Sequence, residues 1–347
     1  MKRIPSLDGF RAVSIVLILF CHSRLSTGFP GGLADIAKQA EVGVTVFFVI
    51  SGFLITNLLL VEESKNGSIS LGAFYTRRIF RIVPVYVLYV LFILLWGNVE
   101  SLYVSRTNLL HVATFTVNFD HNKNWFLGHF WSLSVEEQFY LFWPAMLILF
   151  RKHLKIVLVI LVAYSCIARV IAYKFAGYEL ISLAPFFKYS DAIFIGALGG
   201  IIFFEKPDVL KNKIFRSYAA QLLAIILFLM FVYFTENGIL AIISLPFGNT
   251  IISTSVLFLI FVCIPPSDKV IYKILNNKAV VHIGILSYSI YIWQEFFFVG
   301  EIQGLWRTFP YNILVIYCVS LISYYLWEKP FLRIKQHFSA KKLQAQI

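Results

Sequence analysis

Long apolar stretches recur along this chain from near residue 10 to about residue 327, and only short polar segments separate most of them. A helix needs about 20 apolar residues to cross a bilayer, and about ten stretches approach that length. They cover residues 9–26, 42–61, 82–97, 134–150, 155–173, 184–204, 217–234, 247–265, 281–299 and 311–328. The pattern predicts an all-α polytopic membrane protein with about ten transmembrane helices.

The first apolar stretch follows two basic residues, as the apolar segment of a signal peptide does. However, Arg11, Cys21 and His22 interrupt it, and no small-residue cleavage site comes after it. We therefore interpret it as a retained helix. No long polar interval divides the rest of the chain, so we predict one membrane domain over residues 1–333 and a basic tail over 334–347.

The composition agrees with a membrane protein and changes the meaning of the net charge. Hydrophobic residues make up 59% of the chain and charged residues 14%, and the formal net charge is +12. If both termini are cytoplasmic, Lys and Arg concentrate in the cytoplasmic segments, as the positive-inside rule requires. The positive charge therefore indicates membrane lipids as partners rather than nucleic acid.

Ionisable residues inside the predicted spans are the candidates for function, because a charge near the bilayer centre costs at least ~2.5 kcal/mol on insertion scales. Arg11 and His22 are eleven residues apart, close to three helical turns, so both project from one face of the first helix. Asp8 can pair with Arg11 across one turn. Alternatives are a neutral, structural imidazole at His22 and snorkelling of Arg11 to the headgroups.

Two further groups lie at predicted helix ends. Arg78 and Arg81 share a face at the cytoplasmic start of the third span, where their guanidinium groups suit a phosphate ligand or lipid headgroups. Glu136 and Glu137 lie at the outer start of the fourth span. We expect Glu136 at the depth of His22, where a carboxylate orients an imidazole and raises its basicity. Glu137 fits a solvated position better.

A long outer segment, from about residue 97 to residue 132, exceeds what a simple connection needs and is a candidate acceptor-binding lid or an ordinary surface loop. The motifs of soluble enzymes are absent from the sequence. It contains no glycine-rich phosphate loop, no G-x-S-x-G elbow and no Cys or His cluster with metal spacing. We therefore expect a diffusible, phosphate-bearing co-substrate and no metal.

Six short motifs, in order, make the chain similar to the membrane acyltransferase-three family. They are LDGFRA at 7–12 with His22, GVTVFFVISGF at 43–53, R-x-x-R at 78–81, WSLSVE at 131–136 through Trp143-Pro144, LSYSIYIW at 286–293 and EKP at 328–330. Two positions depart from the family pattern: Thr45 stands where many relatives carry Asp, and Gln294 where many carry His. Both changes remove an ionisable group.

The resemblance implies a multi-pass enzyme of the bacterial cytoplasmic membrane. It implies O-acyl transfer, usually of acetyl from cytoplasmic acetyl-CoA, to a hydroxyl of an extracytoplasmic glycan or glycolipid, with a cell-surface polysaccharide sugar as the leading expectation. Arg11, Arg78 and Arg81 would bind acetyl-CoA. His22 would act as general base with Glu136 orienting it, or would carry the acyl group itself.

Two other classes of function remain open from the sequence. A transporter or flippase of an envelope glycan or lipid-linked precursor would use the intramembrane charges as a substrate path. It predicts inverted halves, and the sequence contains no such symmetry. A non-catalytic scaffold for envelope assembly would bind no acetyl-CoA.

Overall fold

The computed structural model describes residues 4–100, 103–175, 183–300, 302 and 304–334. Within these ranges the chain is helical, without a β-strand beyond one isolated bridge between Thr27 and Thr308. Of the predicted tail, 334–347, all but Ile334 lies outside the described residues.

Each of the predicted spans coincides with a helix in the described chain. The helices are α1 (Pro5–Ser23), α2 (Gly43–Asn66), α3 (Leu71–Glu100), α4 (Phe130–Leu149), α5 (Leu154–Lys174), α6 (Ala184–Glu205), α7 (Tyr218–Asn237), α8 (Ala241–Cys263), α9 (Lys278–Trp293) and α10 (Tyr311–Ser323). Apolar runs therefore located the helices correctly, because burial in lipid or in the bundle interior selects the same residues.

Seven helices of the described chain are long and apolar enough to cross a membrane. These are the helices from α1 to α3 and from α5 to α8. The polar residues at the start of α4 lower its hydropathy, and α9 and α10 contain only 16 and 13 residues. The protein is a multi-pass membrane protein, while the count of about ten spans and the orientation stay predictions.

The helices divide into a central and a peripheral set. In α1, α2 and α6, more than 60% of the residues of the apolar segment are buried inside the protein. The buried share is only 28% in α3 and α5 and 17% in α7. The central helices approach closely through glycine. A β-carbon at Gly52 of α2 would overlap the carbonyl of Ile193, and one at Gly196 of α6 would overlap that of Val49. Since glycine has no side chain, backbone meets backbone at this contact.

A buried polar network fixes four of the helices. Arg169 of α5 binds Asp191 of α6 at 3.0 Å, and both side chains are at most 6% exposed. Asp191 also accepts hydrogen bonds from Asn249 and Thr250 of α8, at 2.5 and 2.6 Å. Thr45 of α2 donates to the Asn249 side-chain oxygen at 3.0 Å. The position where relatives carry Asp is therefore part of this network.

One end of the bundle is basic. Arg77 binds Glu62 at 2.6 Å and Arg151 binds Glu63 at 3.0 Å, where α2 and α4 end and α3 begins. We call this the basic end, and the end where α1 finishes the opposite end. At the opposite end the predicted long loop is folded, with short helices at Arg106–Ala113 and Trp125–Gly128.

Candidate active site

The first helix carries two of the predicted site residues, at different levels. Arg11 forms an ion pair with Asp8 at 3.1 Å, which confirms the predicted pairing one turn apart. His22 is the penultimate residue of α1, at the opposite end of the bundle. Its ring packs against Trp125 and Phe298, with centroids 6.2 and 6.0 Å away.

A cavity of about 90 Å³, the arginine cavity, brings three predicted residues together. Arg11 of α1 and Arg78 and Arg81 of α3 line it. The Arg78 guanidinium lies over the Tyr140 ring, 5.0 Å from its centroid, and its Nε has no hydrogen-bond partner. A half-buried guanidinium whose buried Nε–H donor is unused among the described residues fits an anionic ligand such as phosphate.

Glu136 lines the arginine cavity and not the cavity of His22, so the predicted Glu136–His22 pairing is not what the structure contains. Its carboxylate accepts hydrogen bonds from Ser51 and Tyr140. The physical reason is depth. Helix α4 begins at Phe130, so Glu136 lies six residues, or about 9 Å, into the helix rather than in its first turn.

His22 faces a second cavity of about 250 Å³, the histidine cavity. His129 and Glu295 line it together with His22. His129 Nδ1 lies 2.9 Å from Glu295 Oε2, and the two side chains are 1% and 6% exposed. Glu295 was missed by the sequence analysis, although it is an ionisable residue inside the predicted ninth span. Applying the insertion-cost argument to every span would have found it.

The other position that departs from the family pattern also lies near His22. Gln294 is fully buried, and neither atom of its side-chain amide has a hydrogen-bond partner. It directly precedes Glu295, which lines the histidine cavity with His22. The neutral amide thus stands where many relatives carry His.

Some residues line more than one cavity. Val44 and Tyr291 line both the arginine cavity and the histidine cavity. A third, wide cavity of about 470 Å³ shares Glu41, Val44 and Trp131 with the histidine cavity. Trp131 packs against Tyr189 there, with ring centroids 4.7 Å apart. The wide cavity also shares Val44 and Phe48 with the arginine cavity, so the three cavities adjoin one another at Val44, and His22 lines the histidine cavity.

Comparisons with known proteins agree with the family resemblance seen in the sequence. The profile of the acyltransferase domain family matches residues 4–328. The O-acetyltransferase OatA of Staphylococcus aureus strain NCTC 8325 is 27% identical over 368 residues, covering 95% of this chain and 57% of that protein. The peptidoglycan O-acetyltransferase OatA of Listeria monocytogenes is 36% identical over 168 residues, covering 44% of this chain and 26% of that protein.

The chain spans less than two thirds of the length of these curated relatives. No solved structure matches the chain significantly. The family profile nevertheless covers nearly all of it, including α1 with Arg11 and His22, the arginine pair of α3 and the start of α4. On this match, the chain belongs to the acyltransferase-three family.

Proposed function

We propose that this protein is a membrane O-acetyltransferase that moves an acetyl group from cytoplasmic acetyl-CoA to a hydroxyl of an extracytoplasmic acceptor. The observation that carries the proposal is the arrangement of three adjoining cavities: a cationic cavity, the cavity that His22 lines beside the folded loop segment, and a wide cavity with aromatic walls. A transferase with substrates on two sides of a membrane needs its reactive group beside both binding regions.

The arginine cavity would hold the donor. Acetyl-CoA carries several phosphate oxygens, and Arg78 and Arg81 present guanidinium groups whose planar donor forks match them. Arg11 adds a third positive charge, partly neutralised by Asp8. The cavity itself is small, about 90 Å³, so it suits the narrow pantetheine arm rather than the whole nucleotide. The phosphates would lie at its outer edge, near the basic end.

His22 would meet the thioester. The family pattern in this chain supplies one histidine, and His22 lies beyond the arginine cavity along the same helix. Two routes are compatible with its position. In one, His22 takes the proton of the acceptor hydroxyl as the hydroxyl oxygen attacks the acetyl carbon. In the other, an imidazole nitrogen takes the acetyl group first and then passes it on.

The wide cavity supports a sugar acceptor. Trp131 and Tyr189 offer apolar ring faces with polar edges, and Glu41 and Glu236 offer carboxylates that accept hydrogen bonds from hydroxyl groups. One relative is named for peptidoglycan, a cell-wall glycan. We therefore propose a cell-surface polysaccharide sugar as the acceptor.

The orientation follows from charge. The basic end contains Arg77, Arg151 and Lys155, and positive loops are retained in the cytoplasm. Placing this end on the cytoplasmic side of the bacterial cytoplasmic membrane agrees with the predicted cytoplasmic location of both termini. The arginine cavity then faces cytoplasmic acetyl-CoA and the wide cavity faces the acceptor.

The test is the affinity of the purified protein, in lipid nanodiscs, for acetyl-CoA measured by calorimetry. Arg78→Ala should weaken binding by about tenfold or more, since a charged hydrogen bond contributes roughly 1.5–3 kcal/mol. Arg77→Ala is the matched control, because Arg77 is the next residue but binds Glu62 instead. A wild-type protein without measurable affinity, or equal losses in both variants, would contradict the proposed donor site.

A further inference from the structure

His129 is built differently from His22, although both line the histidine cavity. The His129 ring is held by Glu295 through Nδ1 at 2.9 Å, and its backbone N–H donates to the same carboxylate oxygen at 3.3 Å. Tyr291 donates to the His129 carbonyl at 2.7 Å. An ionised carboxylate only accepts, so it fixes the proton of His129 on Nδ1 and leaves the lone pair on Nε2.

That lone pair is unused in the described structure. His129 Nε2 is buried and has no hydrogen-bond partner, which is uncommon for a buried polar atom. A histidine with one nitrogen on a carboxylate and the other free is the arrangement that proteins use for a general base. The pair is almost completely buried, at 1% and 6% exposure, so its function concerns the cavity and not the surface.

Among the described residues, no carboxylate is hydrogen-bonded to His22, and Glu295, which lines the same cavity, binds His129 instead. The Nδ1 atom of His22 makes no hydrogen bond, and the rings of Trp125 and Phe298 pack against the imidazole. An imidazole without an orienting carboxylate lacks the partner that stabilises the imidazolium formed when a base takes up a proton. The two histidines of one cavity are therefore suited to different steps.

We propose a division of labour in which His22 accepts the acetyl group and the His129–Glu295 pair accepts the proton of the acceptor hydroxyl. This inference rests on the proposed function, and it selects the acyl-histidine route. It also makes His129 a catalytic residue and Glu295 the residue that positions it, the role that sequence reasoning had given to Glu136.

The two steps balance as follows. In the first, one nitrogen of neutral His22 bonds to the acetyl carbon, the carbon–sulfur bond breaks, and the proton of the other nitrogen leaves with the CoA thiolate as CoA thiol. In the second, the acceptor oxygen bonds to the acetyl carbon while its proton passes to His129 Nε2. The carbon–nitrogen bond breaks, and His22 regains its proton from His129.

The experiment separates the steps with two small nucleophiles. Full-length protein in nanodiscs receives radiolabelled acetyl-CoA, and free CoA is followed over time with water alone or with hydroxylamine. Hydroxylamine attacks an acylated imidazole without a general base, whereas water needs one. His129→Ala and Glu295→Gln should each release about one CoA per protein and then slow by ~100-fold or more, because general base catalysis contributes at least that factor. Hydroxylamine should restore continuous release.

The controls make each outcome decisive. His22→Ala should release no CoA above the protein-free rate with either nucleophile, and His153→Ala, a variant of an exposed histidine at the basic end, should behave as wild type. Should His129→Ala fail to fold, Glu295→Gln, which keeps the shape of the side chain, serves alone. Equal losses with water and hydroxylamine, or no loss in folded variants, would overturn the division of labour. A wild-type protein that releases no CoA above the protein-free rate with hydroxylamine would overturn the proposed function itself.

Discussion

Removing the carboxylate of Asp191 is the sharpest test of how the bundle is held together. In Asp191→Ala the Arg169 guanidinium keeps only neutral partners, such as the carbonyls of Pro246 and Lys188. Asn249 and Thr250 lose their acceptor at the same time. Removing one partner of a buried ion pair costs about 3–5 kcal/mol, because the remaining charge stays desolvated.

The assay is the temperature at which half of the detergent-solubilised protein leaves the monodisperse peak in size-exclusion chromatography. A loss of about 3–5 kcal/mol of stability should lower that temperature clearly, or prevent recovery of folded protein. Asp208→Ala is the control: Asp208 pairs with Lys211 at 2.7 Å, but these side chains are 81% and 77% exposed. Exposed pairs contribute little, so no measurable change is expected. Equal midpoints for the two variants would refute the reasoning.

Two further predictions concern packing and the donor site. Gly52→Ala should sharply reduce the yield of folded protein, since its β-carbon would overlap the α6 backbone. Gly72→Ala is the control, because Gly72 of α3 faces open space and its replacement should leave the yield unchanged. Fluorescence-detected chromatography measures both yields, and equal yields would contradict the packing. Tyr140→Ala should weaken acetyl-CoA binding about 2- to 30-fold relative to Tyr140→Phe, because Arg78 loses a cation–π partner worth ~0.5–2 kcal/mol. Equal affinities in calorimetry would show that the ring does not support the donor site.

The sequence was sufficient to locate the helices because membrane insertion and bundle packing both require long apolar runs. The resemblance to a known family grouped Arg11 with Arg78 and Arg81, and the structure places all three on one cavity. Even the Asp8–Arg11 pair followed from helical spacing alone. Local periodicity determines which residues share a face of one helix.

What the sequence could not supply is the depth of a residue relative to a neighbouring helix. The predicted fourth span begins at residue 134, whereas helix α4 begins four residues earlier, at Phe130. Glu136 therefore lies in the arginine cavity and not in the first turn of the helix. The same shift brings His129 to the level of His22. Depth depends on how helices pack against one another, and hydropathy does not report it.

Arg169, Asp191 and Glu295 were overlooked for a different reason. Each is an ionisable residue within a predicted apolar span, and none belongs to a motif with recognisable spacing. Their partners lie on other helices, so only the tertiary structure reveals that they are paired. For every ionisable residue in a membrane span a partner on another helix should be sought, because an unpaired charge in a span is costly.

The central claim is that His22 meets the thioester of acetyl-CoA, and the most direct measurement is acetyl labelling of the protein itself. His129→Ala and the His22→Ala, His129→Ala double variant, both folded and both binding acetyl-CoA, are incubated with radiolabelled acetyl-CoA, quenched and examined for bound label. We predict label on His129→Ala protein, which retains His22 but cannot complete the transfer, and none on the His22→Ala, His129→Ala double variant. Equal label or continued acetyl transfer without His22 would contradict the account.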